Sequence, residues 1–282
     1  MTSVRLPDDL PGPVTRAAVA GRARGDGSEV TLAVAAVGDP RAPALVVAHG
    51  AGSSARFVAA AFAAPVLAAG WRLVTYDLRG HGASTPCPDP ADHDLVVQVA
   101  DLDEVVAHAG DVVAVGGVSL GGHAALSSAA RSGRTTPVLA CLPAWLGTAR
   151  RGVGPHAAVA AEVRQVGIAA VVRRLREDTT LPPWLRATLV ADYERHDQAS
   201  LTAALVALDG GRGPTRDEVT ACGAPVALVA WRDDPGHPFA VAAALAQAAA
   251  RSALEELHLA ELDADLTRFG AAAVRALRAV TG

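Results

Sequence analysis

Short apolar runs, separated by polar breaks that carry Gly or Pro, set the rhythm of this chain. Residues 14–38 alternate on either side of Gly25-Asp26-Gly27-Ser28 and predict a β-hairpin. The run 44–50 (ALVVAHG) is apolar without alternation, the pattern of a strand covered on both faces. Further strands are predicted at 71–77, 112–118 and 137–145, then, after a long gap, at 225–231 and 254–260. Helical spacing of apolar positions fills 55–69, 92–109, 124–131, 239–251 and 264–279. Strand and helix in alternation predict parallel βαβ units with right-handed crossovers. The expected fold is α/β: a mostly parallel central sheet with helices on both faces.

From residue 146 to 213 the alternation stops. The segments 156–178, 182–196 and 200–211 read as helices with breaks. A helical insertion between two parallel strands predicts a cap (146–213) on a core made of 1–145 and 214–282. Such a cap would lie over the carboxyl edge of the sheet, where open α/β sheets carry their sites.

Composition narrows the function classes. Of the 282 residues 51% are hydrophobic and 19% charged, ample for one large core. The net charge is −4 and every basic residue is Arg, with no Lys or Asn anywhere. Together with the Ala, Gly and Val excess this reflects a coding bias rather than a basic surface. No basic cluster marks a nucleic-acid partner. Cys87, Cys141 and Cys222 are isolated, odd in number and free of any CxxC spacing, so neither a disulfide framework nor a zinc site is expected. The first residues, MTSVRLPDDLPGPV, are polar and broken by Pro, unlike a signal peptide. No apolar stretch reaches membrane-spanning length. The expectation is a cytoplasmic protein with a small-molecule substrate, no metal or cofactor, and no membrane or nucleic-acid partner; oligomeric state is not legible.

The chemistry concentrates at Gly117-Val118-Ser119-Leu120-Gly121, between the 112–118 strand and a helix. A nucleophile on so tight a turn needs small residues two positions to either side. The turn lifts the Ser119 hydroxyl above the sheet edge and leaves the Leu120 N–H at the mouth of the helix. Three more polar segments end predicted strands: His49-Gly50-Ala51-Gly52, the run DLRGHGAS (77–84), and Arg232-Asp233-Asp234-Pro235-Gly236-His237-Pro238.

In order and spacing these segments resemble the α/β-hydrolase superfamily, over about residues 14 to 280 and most closely its cap-bearing, esterase-like members. The resemblance implies Ser119 as nucleophile and the N–H groups of Ala51 and Leu120 as oxyanion donors. Such donors are worth about 3 kcal/mol each when water is excluded. Gly50 and Gly52 let the backbone approach a substrate. His49 would orient its own loop, and Asp77, Arg79 and His81 would brace neighbouring ones. Asp234, favoured over Asp233, would be the acid that orients an imidazole.

The family's usual histidine, in the loop after the last strand, is missing: that loop reads Glu261-Leu262-Asp263-Ala264-Asp265-Leu266. His237, three residues past Asp234, is the first substitute; it either serves as base or packs its loop. His258 would be a buried structural residue on one face of the last strand, and His123 a packing residue. His156 and His196 belong to the cap, from which either could descend into the pocket. His93 and His108 read as solvated helix positions.

Trp145, Leu146, Trp184, Leu185 and Tyr193 are candidate pocket walls, Trp145 and Trp184 with Gly50 the foremost. Arg150, Arg151, Arg164, Arg173, Arg174 and Arg176 read as solvated, with partners one turn away such as Glu177. The leading expectation is a hydrolase of a small, rather apolar carboxylic ester or thioester, acting through a Ser119 acyl-enzyme. Serine at the elbow disfavours dehalogenase or epoxide-hydrolase chemistry, which needs a carboxylate there. Two alternatives stay open: a degenerate member that only binds a ligand, and a non-hydrolytic reaction (C–C cleavage, elimination or cyclisation) in secondary metabolism.

Overall fold

The computed structural model describes residues 10–148, 155–209 and 211–282. The sequence expectations for residues 1–9 and for Arg150 and Arg151 lie outside these. The hairpin forms as β1 (Val14–Gly21) and β2 (Val30–Val37), and β2 pairs antiparallel with β4 (Arg72–Tyr76). The remaining strands, β3 (Ala44–Ala48), β5 (Val112–Val118), β6 (Val138–Cys141), β7 (Val226–Trp231) and β8 (Ser252–Leu257), run parallel to β4. The sheet order is β1-β2-β4-β3-β5-β6-β7-β8. Every residue of β3 and β7 is buried, because both faces of the central strands are covered.

Successive side chains on a strand point to opposite faces, so each central strand feeds two cores. Val46 and Ala48 of β3 and Leu228 and Ala230 of β7 join the first, packed under α2 (Leu95–Ala109), α3 (Leu120–Ser132) and α9 (Phe239–Ala248). Leu45 and Val47, with Val229 and Trp231, join the second, under α1 (Ala55–Ala68) and α11 (Thr267–Thr281). The unbroken apolar runs of the sequence are two alternating patterns laid over each other.

Between Thr148 and Arg212 the described residues form four helices: α4 (Pro155–Val166), α5 (Ile168–Glu177), α6 (Pro183–Tyr193) and α7 (Gln198–Leu208). A β-bridge between Thr148 and Arg212 brings the two ends of this segment together. A short α8 (Arg216–Ala221) precedes β7, and α10 (Glu261–Ala264) precedes α11. Among the described residues no helix is long and apolar enough to cross a membrane.

Several local expectations are corrected. The 92–109 helix is a 3-10 turn (Pro90–His93) followed by α2, interrupted at Asp94, whose backbone is extended at ψ 144°. His93 is therefore buried, its Nε2–H donating to Cys87 O at 2.7 Å, and is not a solvated position. The 137–145 strand ends at Cys141, with Leu142 at φ 52° turning the chain toward Pro143. The long 156–178 helix breaks at Gly167, φ 80°. Arg174 pairs with Glu162 and Arg176 with Glu194, across helices rather than along one. His258 lies just past the end of β8 and is 60% exposed, so it is not a buried strand residue.

One buried ion pair ties the hairpin end to the carboxyl edge. Arg79, after β4, donates through Nε and Nη2 to both oxygens of Asp101 on α2, at 2.7 Å each. Asp101 also accepts the Arg22 N–H at 2.8 Å, and Arg79 Nη2 donates to Arg22 O. Both side chains are fully inaccessible to solvent.

Candidate active site

Gly-X-Ser-X-Gly is a steric requirement here. Ser119 joins β5 to α3 with φ 52° and ψ −114°, a conformation rarely held by a residue with a side chain. A Cβ at Gly117 would lie 2.3 Å from the Gly121 carbonyl carbon, and one at Gly121 would lie 2.4 Å from Ala48 O. The strand, the first turn of α3 and the end of β3 are thus in backbone contact beneath the serine. Helix α3 begins at Leu120, earlier than the apolar spacing indicates, because the glycines Gly121 and Gly122 occupy its first turn. Gly121→Ala should cost about 1–3 kcal/mol by forcing these backbones apart; a chemical-denaturation curve coincident with wild type would contradict this packing.

Ser119 is half-buried and its hydroxyl has an imidazole partner: Oγ lies 3.0 Å from His237 Nε2. His237 Nδ1–H donates to Asp234 Oδ2 at 2.7 Å. The other oxygen, Oδ1, accepts the Gly236 N–H at 2.8 Å. One carboxylate therefore closes the Asp-Pro-Gly turn with one oxygen and orients the imidazole with the other. Burial alone would raise the Asp234 pKa, but the His237 ring and the N–H groups of Gly236 and His237 outweigh it and hold the carboxyl below its ordinary range. Asp233 does something else: its Oδ1 accepts the Leu259 N–H at 2.9 Å, with His258 Nδ1 3.8 Å from Oδ2.

The loop after β3 runs beside the serine. A Cβ at Gly50 would lie 3.2 Å from Ser119 Cβ and 3.8 Å from its Oγ. Neither the Ala51 N–H nor the Leu120 N–H has an acceptor among the described residues. His49 is buried; its Nδ1–H donates to Gly50 O at 2.7 Å and its Nε2 accepts the Leu78 N–H at 2.9 Å. Asp77 accepts the N–H groups of Ala55 and Ala83, each at 2.9 Å, and His81 Nε2 accepts that of Gly52 at 3.0 Å. Burial lowers the His49 pKa to about 4, so its ring stays neutral at ordinary pH.

The four-helix segment reaches this edge at two points. His156, near the start of α4, is held at a pKa of about 4, first by burial and then by the nearby His237. His196 follows α6 and bridges two loops: Nδ1 accepts the Gly82 N–H at 3.1 Å and Nε2–H donates to Gly52 O at 3.2 Å. Both of its nitrogens are thereby occupied by backbone. Asp192 of α6 accepts hydrogen bonds from Ser54 Oγ at 2.6 Å and Ser53 Oγ at 3.2 Å. Sequence reasoning missed Asp192, because no spacing links it to a loop 138 residues earlier.

A cavity of about 950 Å³ opens beside the elbow helix, lined among others by Leu120, Arg131, Trp145, Leu95, Val99 and Leu208. Trp145 lies at its wall and stacks on His123, ring centres 4.6 Å apart. His123 is buried and accepts the Ala144 N–H through Nε2 at 3.1 Å, a packing role. Ser119, His237 and Trp184 are not among the residues lining this cavity. Trp184 stacks on Phe57, meets Trp231 edge to face, and donates its indole N–H to Leu259 O at 2.8 Å.

An eight-stranded, mostly parallel sheet with a serine on a strained strand-to-helix turn at its carboxyl edge defines the α/β-hydrolase fold class. The chain belongs to the alpha/beta hydrolase family, whose profile matches residues 45–268. No curated protein matches the chain in sequence. Among solved structures, a thermophilic esterase from Thermogutta terrifontis is similar with a TM-score of 0.73 at 21% identity, over 95% of this chain and 100% of that one. An enol-lactonase from Burkholderia xenovorans LB400 is similar with a TM-score of 0.69 at 22% identity, over 94% of this chain and 100% of the other. A bromoperoxidase from Bacillus anthracis reaches 0.73 at 14% identity, over 94% of this chain and 99% of that one. At these identities the likeness is one of fold.

Proposed function

We propose that this protein is a serine hydrolase that cleaves a small, rather apolar carboxylic ester or thioester through an acyl-enzyme on Ser119. The single observation that carries the reading is the relay of Ser119 Oγ, His237 Nε2 and Asp234, at 3.0 Å and 2.7 Å. In this reading His237 takes the Ser119 proton as Oγ attacks the carbonyl carbon, and Asp234 holds the ring in the tautomer whose Nε2 is free. The Ala51 and Leu120 N–H groups receive the developing oxyanion. Collapse of the tetrahedral species expels the alcohol or thiol, which leaves with the proton from His237. Water, deprotonated by the same nitrogen, then releases the acid and restores the serine.

The esterase and lactonase among the structural relatives support acyl transfer as the reaction class. In this reading α4 to α7, which reach the site's edge through His156, Asp192 and His196, act as the cap over it. The degenerate reading drew its weight from the missing histidine after the last strand. His237, within hydrogen-bond reach of the serine, weighs against that reading.

A fluorophosphonate probe tests the reading. Wild type should be labelled stoichiometrically on Ser119, as located by peptide mass, and turn over short-chain p-nitrophenyl esters; Ser119→Ala should take up no label. Absence of labelling at every pH from 6 to 9 would overturn it.

A further inference from the structure

Several polar groups of residues 50–54 are tied to distant segments, while the Ala51 N–H has no acceptor among the described residues. The Gly52 N–H goes to His81, Gly52 O receives His196, and the Ser53 N–H closes on Gly50 O at 3.1 Å. The hydroxyls of Ser53 and Ser54 both go to Asp192, which comes from α6 and is 2% exposed. Tyr193 packs against the same turn: a Cβ on Gly52 would lie 3.2 Å from its ring. Ser54 also caps α1, accepting the Phe57 N–H at 3.3 Å. The helical segment thus grips the two residues that follow the Ala51-Gly52 pair.

We propose that Asp192 is a positioning residue, which fixes the Ala51 N–H for the oxyanion by holding Ser53 and Ser54 from the α6 side. The inference rests on the serine-hydrolase reading above. The electrostatics separate this role from a structural one. Asp192 faces the two serine hydroxyls and Tyr193, with the Asp77 carboxylate and the Arg56 guanidinium within charge range; no cation sits within ion-pair distance among the described residues. Burial, first, and then Asp77 raise its pKa to about 6, against the pull of the two serines and Arg56. A carboxyl whose folded pKa lies above its unfolded value stabilises the fold while protonated. That stability is lost as pH rises from about 4 through 6. At pH 8 the side chain is ionised and stabilises the fold less than its protonated form would.

The experiment compares wild type, Asp192→Asn, Asp192→Ala and Ser53→Ala by p-nitrophenyl ester kinetics, fluorophosphonate labelling rate and thermal melting at pH 8. Displacing an oxyanion donor by a fraction of its reach should lower kcat by about ten- to a hundredfold, with KM within about threefold. Asp192→Ala should show this loss, with labelling slowed in parallel and Ser53→Ala falling between it and wild type. Asp192→Asn should lose rate while melting at or above wild type at pH 8. Rates of both Asp192 variants within twofold of wild type would overturn the proposal. So would a slower Asp192→Asn that also melts lower, which marks a merely structural residue. If wild type itself takes up no label, the hydrolase reading fails and takes this one with it; a labelled wild type with unaffected variants fails this one alone.

Discussion

Replacing His237 by Ala should lower ester hydrolysis by about 10⁴- to 10⁶-fold, nearly as much as replacing Ser119, and the double variant should be no slower than the worse single one. The reason is that the two side chains act as one unit. Without the imidazole the Oγ proton has no acceptor at 3.0 Å, and without the hydroxyl the imidazole has nothing to activate. Asp234→Asn should cost less, about 10⁴-fold, by favouring the wrong ring tautomer while leaving the geometry intact. Because Asp234 is held below the ordinary carboxylate range, its own ionisation should not limit activity on the acid side of neutrality. The measurement is kcat/KM of purified variants on one p-nitrophenyl ester. A His237→Ala enzyme within tenfold of wild type would mean that another group supplies the base.

Asp101→Ala should destabilise the fold by about 3–5 kcal/mol, the cost of breaking a buried ion pair by removing one partner. It strands the Arg79 guanidinium in a site with no access to water, with Asp92 3.9 Å away as the remaining acid. It also removes the acceptor of the Arg22 N–H. Replacing both partners with apolar residues of similar volume should recover much of the loss, since neither charge is then buried alone. Urea unfolding of the two variants checks both statements. An Asp101→Ala protein within 1 kcal/mol of wild type, a margin far below the ~3 kcal/mol lower bound, would show the pair to be replaceable by solvent.

The elbow illustrates what was legible in the linear text. Gly117, Ser119 and Gly121 are a backbone constraint written in residue types, and the atoms a Cβ would meet at those positions explain each choice. The order of strands and helices was equally legible, since a run buried on both faces leaves a continuous apolar signature. Boundaries failed where one residue decided them: Asp94 split a helix, Gly167 another, and the turn at Leu142 shortened β6. His93 and His258 were misjudged in opposite senses. Exposure of a single polar residue depends on what packs over it from elsewhere, and periodicity holds no record of that.

His237 shows the same division within four residues. Asp-Pro-Gly before His237 is a turn signal, and that turn does form, closed by the Asp234 carboxylate on the Gly236 N–H. Chain order alone could foresee the turn and the two side chains it carries. Which way the imidazole swings was undetermined, because its target lies 118 residues away on another strand's end. By itself the chain determined its α/β alternation, the strained serine turn, the glycines beneath it and the carboxylate after β7. All of these follow from local sterics and repeating burial. The meeting of His237 with Ser119, the grip of Asp192 on the 50–54 turn and the packing of Trp184 away from the cavity were decided only in three dimensions. Contacts between distant segments depend on how strands are ordered in the sheet and where loops cross its edge, a geometry that no run of neighbouring residues encodes.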